Sequence, residues 1–186
     1  GFYTLTEAAL IEDFYAIREQ VEGFSLACYA CEAAGEVAVR GEDCAALLRL
    51  LLNTLYAVER GIGSWAQIKA AFELRLAAEA GFAPELSHCA DCGATLEGQA
   101  ALDVREGTAC CAACARDGAH GSAYSLGPGA FRAVFHCLEC PLEKLYLFRL
   151  AEQEQPAFAE ASEAYLLARL EKRPRSLAFL KSVWNA

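Results

Sequence analysis

The chain has 186 residues, 55% of them apolar and 22% charged, which suits one compact domain with a real core and excludes a disordered chain. No apolar run approaches the roughly 20 residues needed to cross a bilayer, so a spanning helix and membrane partners are excluded. The net charge of −9 is uneven: residues 1–120 hold 8 Lys/Arg against 18 Asp/Glu, residues 121–186 hold 8 against 7, and only the C-terminal third suits a polyanion.

The spacing of Leu10, Ile11, Phe14, Ile17 and Val21 predicts a helix over 6–34, capped by Thr6 and open to a kink at Gly23. Gly35 and Gly41 bracket a loop. A second helix runs from Asp43 through Leu47, Leu48, Leu51, Leu52 and Leu55 to Gly61. Ser64 opens a third, with Gln67 in capping-box position, core residues Trp65, Ile68, Phe72 and Leu76, and a stop at Gly81 and Pro84. The texture then changes. Residues 85–122 are rich in Cys, Gly, Asp and Thr, and a short alternation at Leu102 and Val104 predicts one strand of a hairpin. Helical patterning resumes at Tyr124, with Pro128 in a first turn, and Pro141 opens a further segment. Pro156 precedes another helix, and Leu177, Phe179 and Leu180 mark a last short one. The fold class is mainly α: a helical bundle domain, 1–84 and 123–186, with a four-cysteine zinc-ribbon-like module inserted at 85–122.

Ten cysteines in a long, helix-forming, Ala/Leu-rich chain suit a reducing compartment better than a disulfide scaffold. No export signal is visible, so the expected location is cytoplasmic. Cys89/Cys92 and Cys111/Cys114 are two Cys-x2-Cys knuckles, the spacing at which four thiolates close a tetrahedral shell around one ion. With every position filled by protein, one zinc ion there is structural. A pair of disulfides or four unrelated buried thiols are the competing arrangements. Cys110 beside Cys111 is either a spare thiol or a substitute ligand. Cys28/Cys31 and Cys137/Cys140 share the spacing but fall inside predicted helices, as buried small residues or, alternatively, redox dithiols. His88, His120 and His136 belong to no His-Glu or Ser/His/Asp arrangement, and Glu12/Asp13 and Glu42/Asp43 read as solvated or helix-capping acids.

The order of motifs carries more. Thr4-Leu5-Thr6-Glu7-Ala8-Ala9-Leu10-Ile11-Glu12 precedes the first helix. Phe72-Glu73-Leu74-Arg75-Leu76 leads through Gly81-Phe82-Ala83-Pro84-Glu85-Leu86 into the first knuckle. Leu126-Gly127-Pro128-Gly129-Ala130, Pro141-Leu142-Glu143-Lys144-Leu145 and Arg175-Ser176-Leu177-Ala178-Phe179-Leu180 follow. This series resembles the C-terminal region of the RecO family of bacterial DNA repair and recombination mediators, over essentially the whole chain.

The resemblance implies a non-enzymatic protein, nucleoid-associated, that binds single- and double-stranded DNA and anneals strands. It further implies recognition of the C-terminal tail of single-stranded DNA-binding protein, and help in loading RecA together with RecR. It implies zinc at Cys89, Cys92, Cys111 and Cys114. It also implies an N-terminal OB-fold that supplies much of the DNA binding; five short alternating strands are not found ahead of Thr6, and the chain opens at Gly1 without any Met, so we expect a piece lacking that domain. An acidic tail ending in an aromatic residue needs an apolar pocket with cations at its rim. The candidates are Arg132, Lys144, Arg149, Arg169, Lys172, Arg173 and Arg175, in the C-terminal helices. The alternative is a zinc-stabilised helical interaction scaffold with no DNA activity of its own.

Overall fold

The computed structural model describes residues 4–39, 43–117 and 122–185. Seven α-helices among them are α1 (Val21–Val37), α2 (Ala45–Arg60), α3 (Trp65–Glu79), α4 (Ala112–Asp117), α5 (Pro128–Glu139), α6 (Gln155–Arg169) and α7 (Ser176–Trp184). Four short strands are β1 (Glu85–Cys89), β2 (Ala100–Asp103), β3 (Thr108–Cys110) and β4 (Ala123–Leu126).

Helix α3 is the axis. Ile68, Ala70, Ala71, Phe72, Leu74, Leu76 and Ala77 are all fully buried, so the helix is covered on every side by α1, α2, α5 and α6. Its start is the predicted one: the Ser64 hydroxyl accepts from the Gln67 amide at 3.2 Å. The Gln67 side chain, however, turns away from the capping box and donates to the Phe148 carbonyl at 2.9 Å. Small residues set the spacing elsewhere. On α1, Ala27, Ala30, Ala33 and Ala34 are buried, and the missing side chain of Gly23 leaves the gap filled by the Trp65 ring.

The first predicted helix is shorter than its pattern. Residues 4–14 form no regular structure, Tyr15–Glu19 is a 3-10 turn, and α1 begins only after Gln20, which is extended. Leu10 and Ile11 stand exposed and Phe14 adopts a left-handed φ of 49°. A helical stripe is stable only when it has something to pack against; Ile17 is buried in the core, but Leu10 and Ile11 have no neighbour to cover them among the described residues. In α2 the buried face is Leu50, Thr54, Ala57 and Val58, leaving Leu48 and Leu52 of the sequence pattern exposed. The segment opened by Pro141 is only a 3-10 turn, Leu142–Lys144.

The strands form one sheet in the order β1-β3-β2-β4. β2 and β3 are the predicted hairpin, with Asp103 accepting from the turn amides of Arg105 and Glu106 at 2.8 and 3.2 Å. β4 lies where helical patterning was expected to resume: Tyr124 pairs with Leu102 on β2, and the helix starts at Pro128. β4 also packs against α5 and α6, so it joins the sheet to the helices. Among the described residues no helix is long and apolar enough to cross a membrane.

Candidate metal centre

The first knuckle is a tight hairpin at the end of β1. Cys89 donates its amide to Ala94 at 2.8 Å, Gly93 donates back to Cys89 at 2.9 Å, and His88 bridges Thr95 across the turn. Gly93 sits at φ 71°, the left-handed conformation that glycine adopts without strain. The second knuckle follows β3 directly and enters α4. β1 runs parallel to β3 with Cys89 opposite Ala109, and this pairing sets the two knuckles side by side.

The four sulfurs of Cys89, Cys92, Cys111 and Cys114 all lie within 4.8 Å of one another, with Cys92 and Cys111 at 3.9 Å. Thiolates around tetrahedral zinc stand about 3.8 Å apart, given Zn–S bonds near 2.3 Å. Backbone amides point at two of them: Cys111 N–H donates to the Cys89 sulfur at 3.2 Å and Cys114 N–H to the Cys111 sulfur at 3.5 Å. The first amide, helped by that of Cys92, brings the Cys89 thiol down to about 6, and the Cys114 amide lowers Cys111. Cys114 is pushed up, because its proton is shared toward the sulfurs of Cys111 and Cys92. The arrangement therefore stabilises thiolates and crowds them, which is what a soft cation relieves.

The other thiol pairs differ. Cys28 and Cys31 lie on α1, Cys137 within α5 and Cys140 at its C-terminal cap. Burial raises Cys31, Cys137 and Cys140, the opposite of an activated attacking thiolate. His136 lies on α5, its Nε2 3.0 Å from the Lys144 carbonyl. His120 and Glu42 lie outside the described residues.

The seven candidate cations do not converge. Arg132 and Lys144 are exposed on α5 and the following turn, and Lys172 and Arg175 are exposed beyond α6. Arg149 borders a cavity with Gln67 and Phe148. Arg169 is committed to structure, donating to the Arg105 carbonyl at 2.8 Å and lying 4.7 Å from the centroid of the Tyr165 ring. Arg173 alone of the seven borders a cavity of about 510 Å³ between α6 and α7, which Leu167, Leu180, Trp184, Lys69 and Lys181 also line. Lys181 and Trp184 were not among the sequence candidates. They carry no motif, and only the docking of α7 brings them to this wall.

The class of protein is a mainly helical domain joined to a small sheet that carries a four-thiol cluster. Residues 18–178 match the family described as Recombination protein O C terminal. The chain is 32% identical over 177 residues to the DNA repair protein RecO of Desulforudis audaxviator, covering 95% of this chain and 70% of that one. It is 28% identical over 181 residues to the DNA repair protein RecO of Acetivibrio thermocellus, covering 97% and 71% respectively. The chain belongs to the RecO family of DNA repair proteins.

Proposed function

We propose that this chain is the helical and metal-binding part of a recombination mediator in bacterial DNA repair. It holds one structural zinc ion at Cys89, Cys92, Cys111 and Cys114, and the ion holds together the module of residues 85–122, inserted between the helical parts 1–84 and 123–186. Soft, closed, four-thiolate coordination favours zinc and leaves no position for substrate. Cys111→Ser should abolish stoichiometric zinc in the purified protein, and retention of one zinc per chain would refute the ligand assignment.

The protein binds DNA, mainly through the family's OB domain, and anneals complementary strands. With RecR it assists RecA loading, acting in the cytoplasm at the nucleoid. Its own region receives the tail of single-stranded DNA-binding protein. The observation that supports this location is the cavity between α6 and α7. Leu167, Leu180 and Trp184 offer apolar surface to a terminal aromatic ring, and Arg173, Lys69 and Lys181 line the same cavity. Lys69 and Lys181 are both held by Glu163, at 2.8 and 2.5 Å, which leaves Arg173 as the cation for a free carboxylate. The indole Nε1 of Trp184 is buried without a hydrogen-bond partner and is a ready donor.

Fluorescence anisotropy of a labelled tail peptide tests this reading. Saturable binding to the zinc-loaded chain, lost on removing the terminal Phe, is the expected result. Binding that survives loss of the Phe contradicts it, as does the absence of any binding, which would favour the interaction scaffold without mediator activity.

A further inference from the structure

The four-cysteine cluster has a neighbour that its closed shell does not use. Cys110 is buried, and its sulfur lies within 4.8 Å of both the Cys89 sulfur and a carboxylate oxygen of Asp91. Cys110 is the last residue of β3 and Cys111 the next along the chain. Successive residues of an extended strand face opposite ways. Cys111 thus joins the sulfurs of Cys89, Cys92 and Cys114, while Cys110 groups with Cys89 and with Asp91 from the turn of the first knuckle. Cys89 belongs to both groups.

We propose that Cys89, Asp91 and Cys110 form a second site, for an exchangeable soft divalent cation of the zinc or cadmium type, adjoining the first and sharing the Cys89 sulfur. The proposal rests on the four cysteines being a metal site. Four thiolates around one dication leave that centre with surplus negative charge, and Asp91 adds more, so a second cation is drawn to this side of it. Two sulfurs and one carboxylate select a thiophilic ion over magnesium or calcium. Three protein donors leave the fourth tetrahedral position to water, and Asp91 is exposed, so this ion reaches solvent and exchanges, while the first is held by four protein donors with no position left for water. Occupancy would fasten the turn of the first knuckle to the end of β3 through a contact independent of the second knuckle.

Cadmium-113 is the probe. The whole chain, loaded with excess cadmium-113 chloride and freed of loosely held ions, is weighed by native mass spectrometry and examined by cadmium NMR. The expected result is two ions per chain and two resonances, the four-sulfur one downfield of the mixed sulfur–oxygen one, coupled through the shared sulfur. Asp91→Asn and Cys110→Ser should each remove the second ion and leave the first. Asp91 is on the surface, so its variant stays informative if the buried Cys110→Ser misfolds. A single ion in the unaltered chain overturns the second site and leaves the first standing. Two ions that both survive Asp91→Asn and Cys110→Ser also overturn it. No ion at all overturns both.

Discussion

Glu73 is the most demanding residue in the core. It is fully buried on α3, and its Oε1 accepts from the Tyr29 hydroxyl at 2.6 Å and from Lys69 Nζ at 2.7 Å, while Oε2 has no partner. Burial pushes its carboxyl up against the pull of Lys69. Lys69 also reaches Glu163, which Lys181 holds from α7, so one run of alternating charge ties α1, α3, α6 and α7. Removing one member of a buried pair strands the other. Lys69→Met should therefore cost about 3–5 kcal/mol in urea unfolding, and Lys69→Met with Glu73→Leu should cost less than the single change. Equal losses would show that the ion pair is not the source. Glu32 on α1 acts at the surface. It accepts from the Ser176 amide at 2.8 Å, the Arg175 amide at 2.9 Å and the Ser176 hydroxyl, capping α7. The Ser176 hydroxyl first, then the two amides, lower its carboxyl below the ordinary 4.5. A carboxylate with a depressed folded value stabilises above its ordinary range and loses that contribution as the pH falls through the folded value. Glu32→Gln should cost about 1 kcal/mol at neutral pH, and the difference from the unaltered chain should close in acid. A difference independent of pH would contradict this.

At the scale of elements, both ends of α5 are finished by residues far away in sequence. The Glu154 carboxylate accepts from the Gly129 amide at 2.7 Å, so a side chain 25 residues on caps the helix start. Gly127 and Gly129 make room for it: a Cβ at Gly129 would stand 2.7 Å from the Glu154 carboxyl carbon. This gives a physical reason for the Leu126-Gly127-Pro128-Gly129-Ala130 motif. At the other end, Arg75 Nη1 donates to the carbonyls of Cys137, Leu138 and Cys140 at 3.3, 2.9 and 3.0 Å. Gly129→Ala should cost about 1–2 kcal/mol by expelling the Glu154 cap. In a Glu154→Ala background it should cost much less, and a cost unchanged there would mean the cap is not what the glycine protects. Local punctuation was legible for the same reason that these long-range caps were not. Ser64, Pro128 and the two knuckles act within a few residues of themselves, and the structure has them as expected. The 6–34 stripe failed because Leu10 and Ile11 have no partner element, and β4 was missed because a four-residue strand shows little period.

For the whole molecule, the sheet carries the thiol cluster and β4 hands it to α5 and α6, while α7 docks on α1 and closes the cavity beside α6. The thiol cluster was visible in spacing alone. The cavity was not, because Lys69, Arg173, Lys181 and Trp184 come from three separate stretches that only tertiary packing assembles. In sequence, Lys69 and Glu73 look like an ordinary exposed helix pair, and Arg169 looks like part of a basic patch, yet it spans Tyr165 and the Arg105 carbonyl. The mediator reading thus turns on whether this wall receives the acidic tail. The direct measurement is tail-peptide anisotropy with the unaltered chain, Arg173→Glu and the triple reversal of Lys144, Arg149 and Arg173, with each variant's fold checked by circular dichroism. Arg173→Glu alone should weaken binding at least tenfold, about 1.4 kcal/mol, and Lys144 and Arg149 should add little. Tail binding that survives the triple reversal would contradict it.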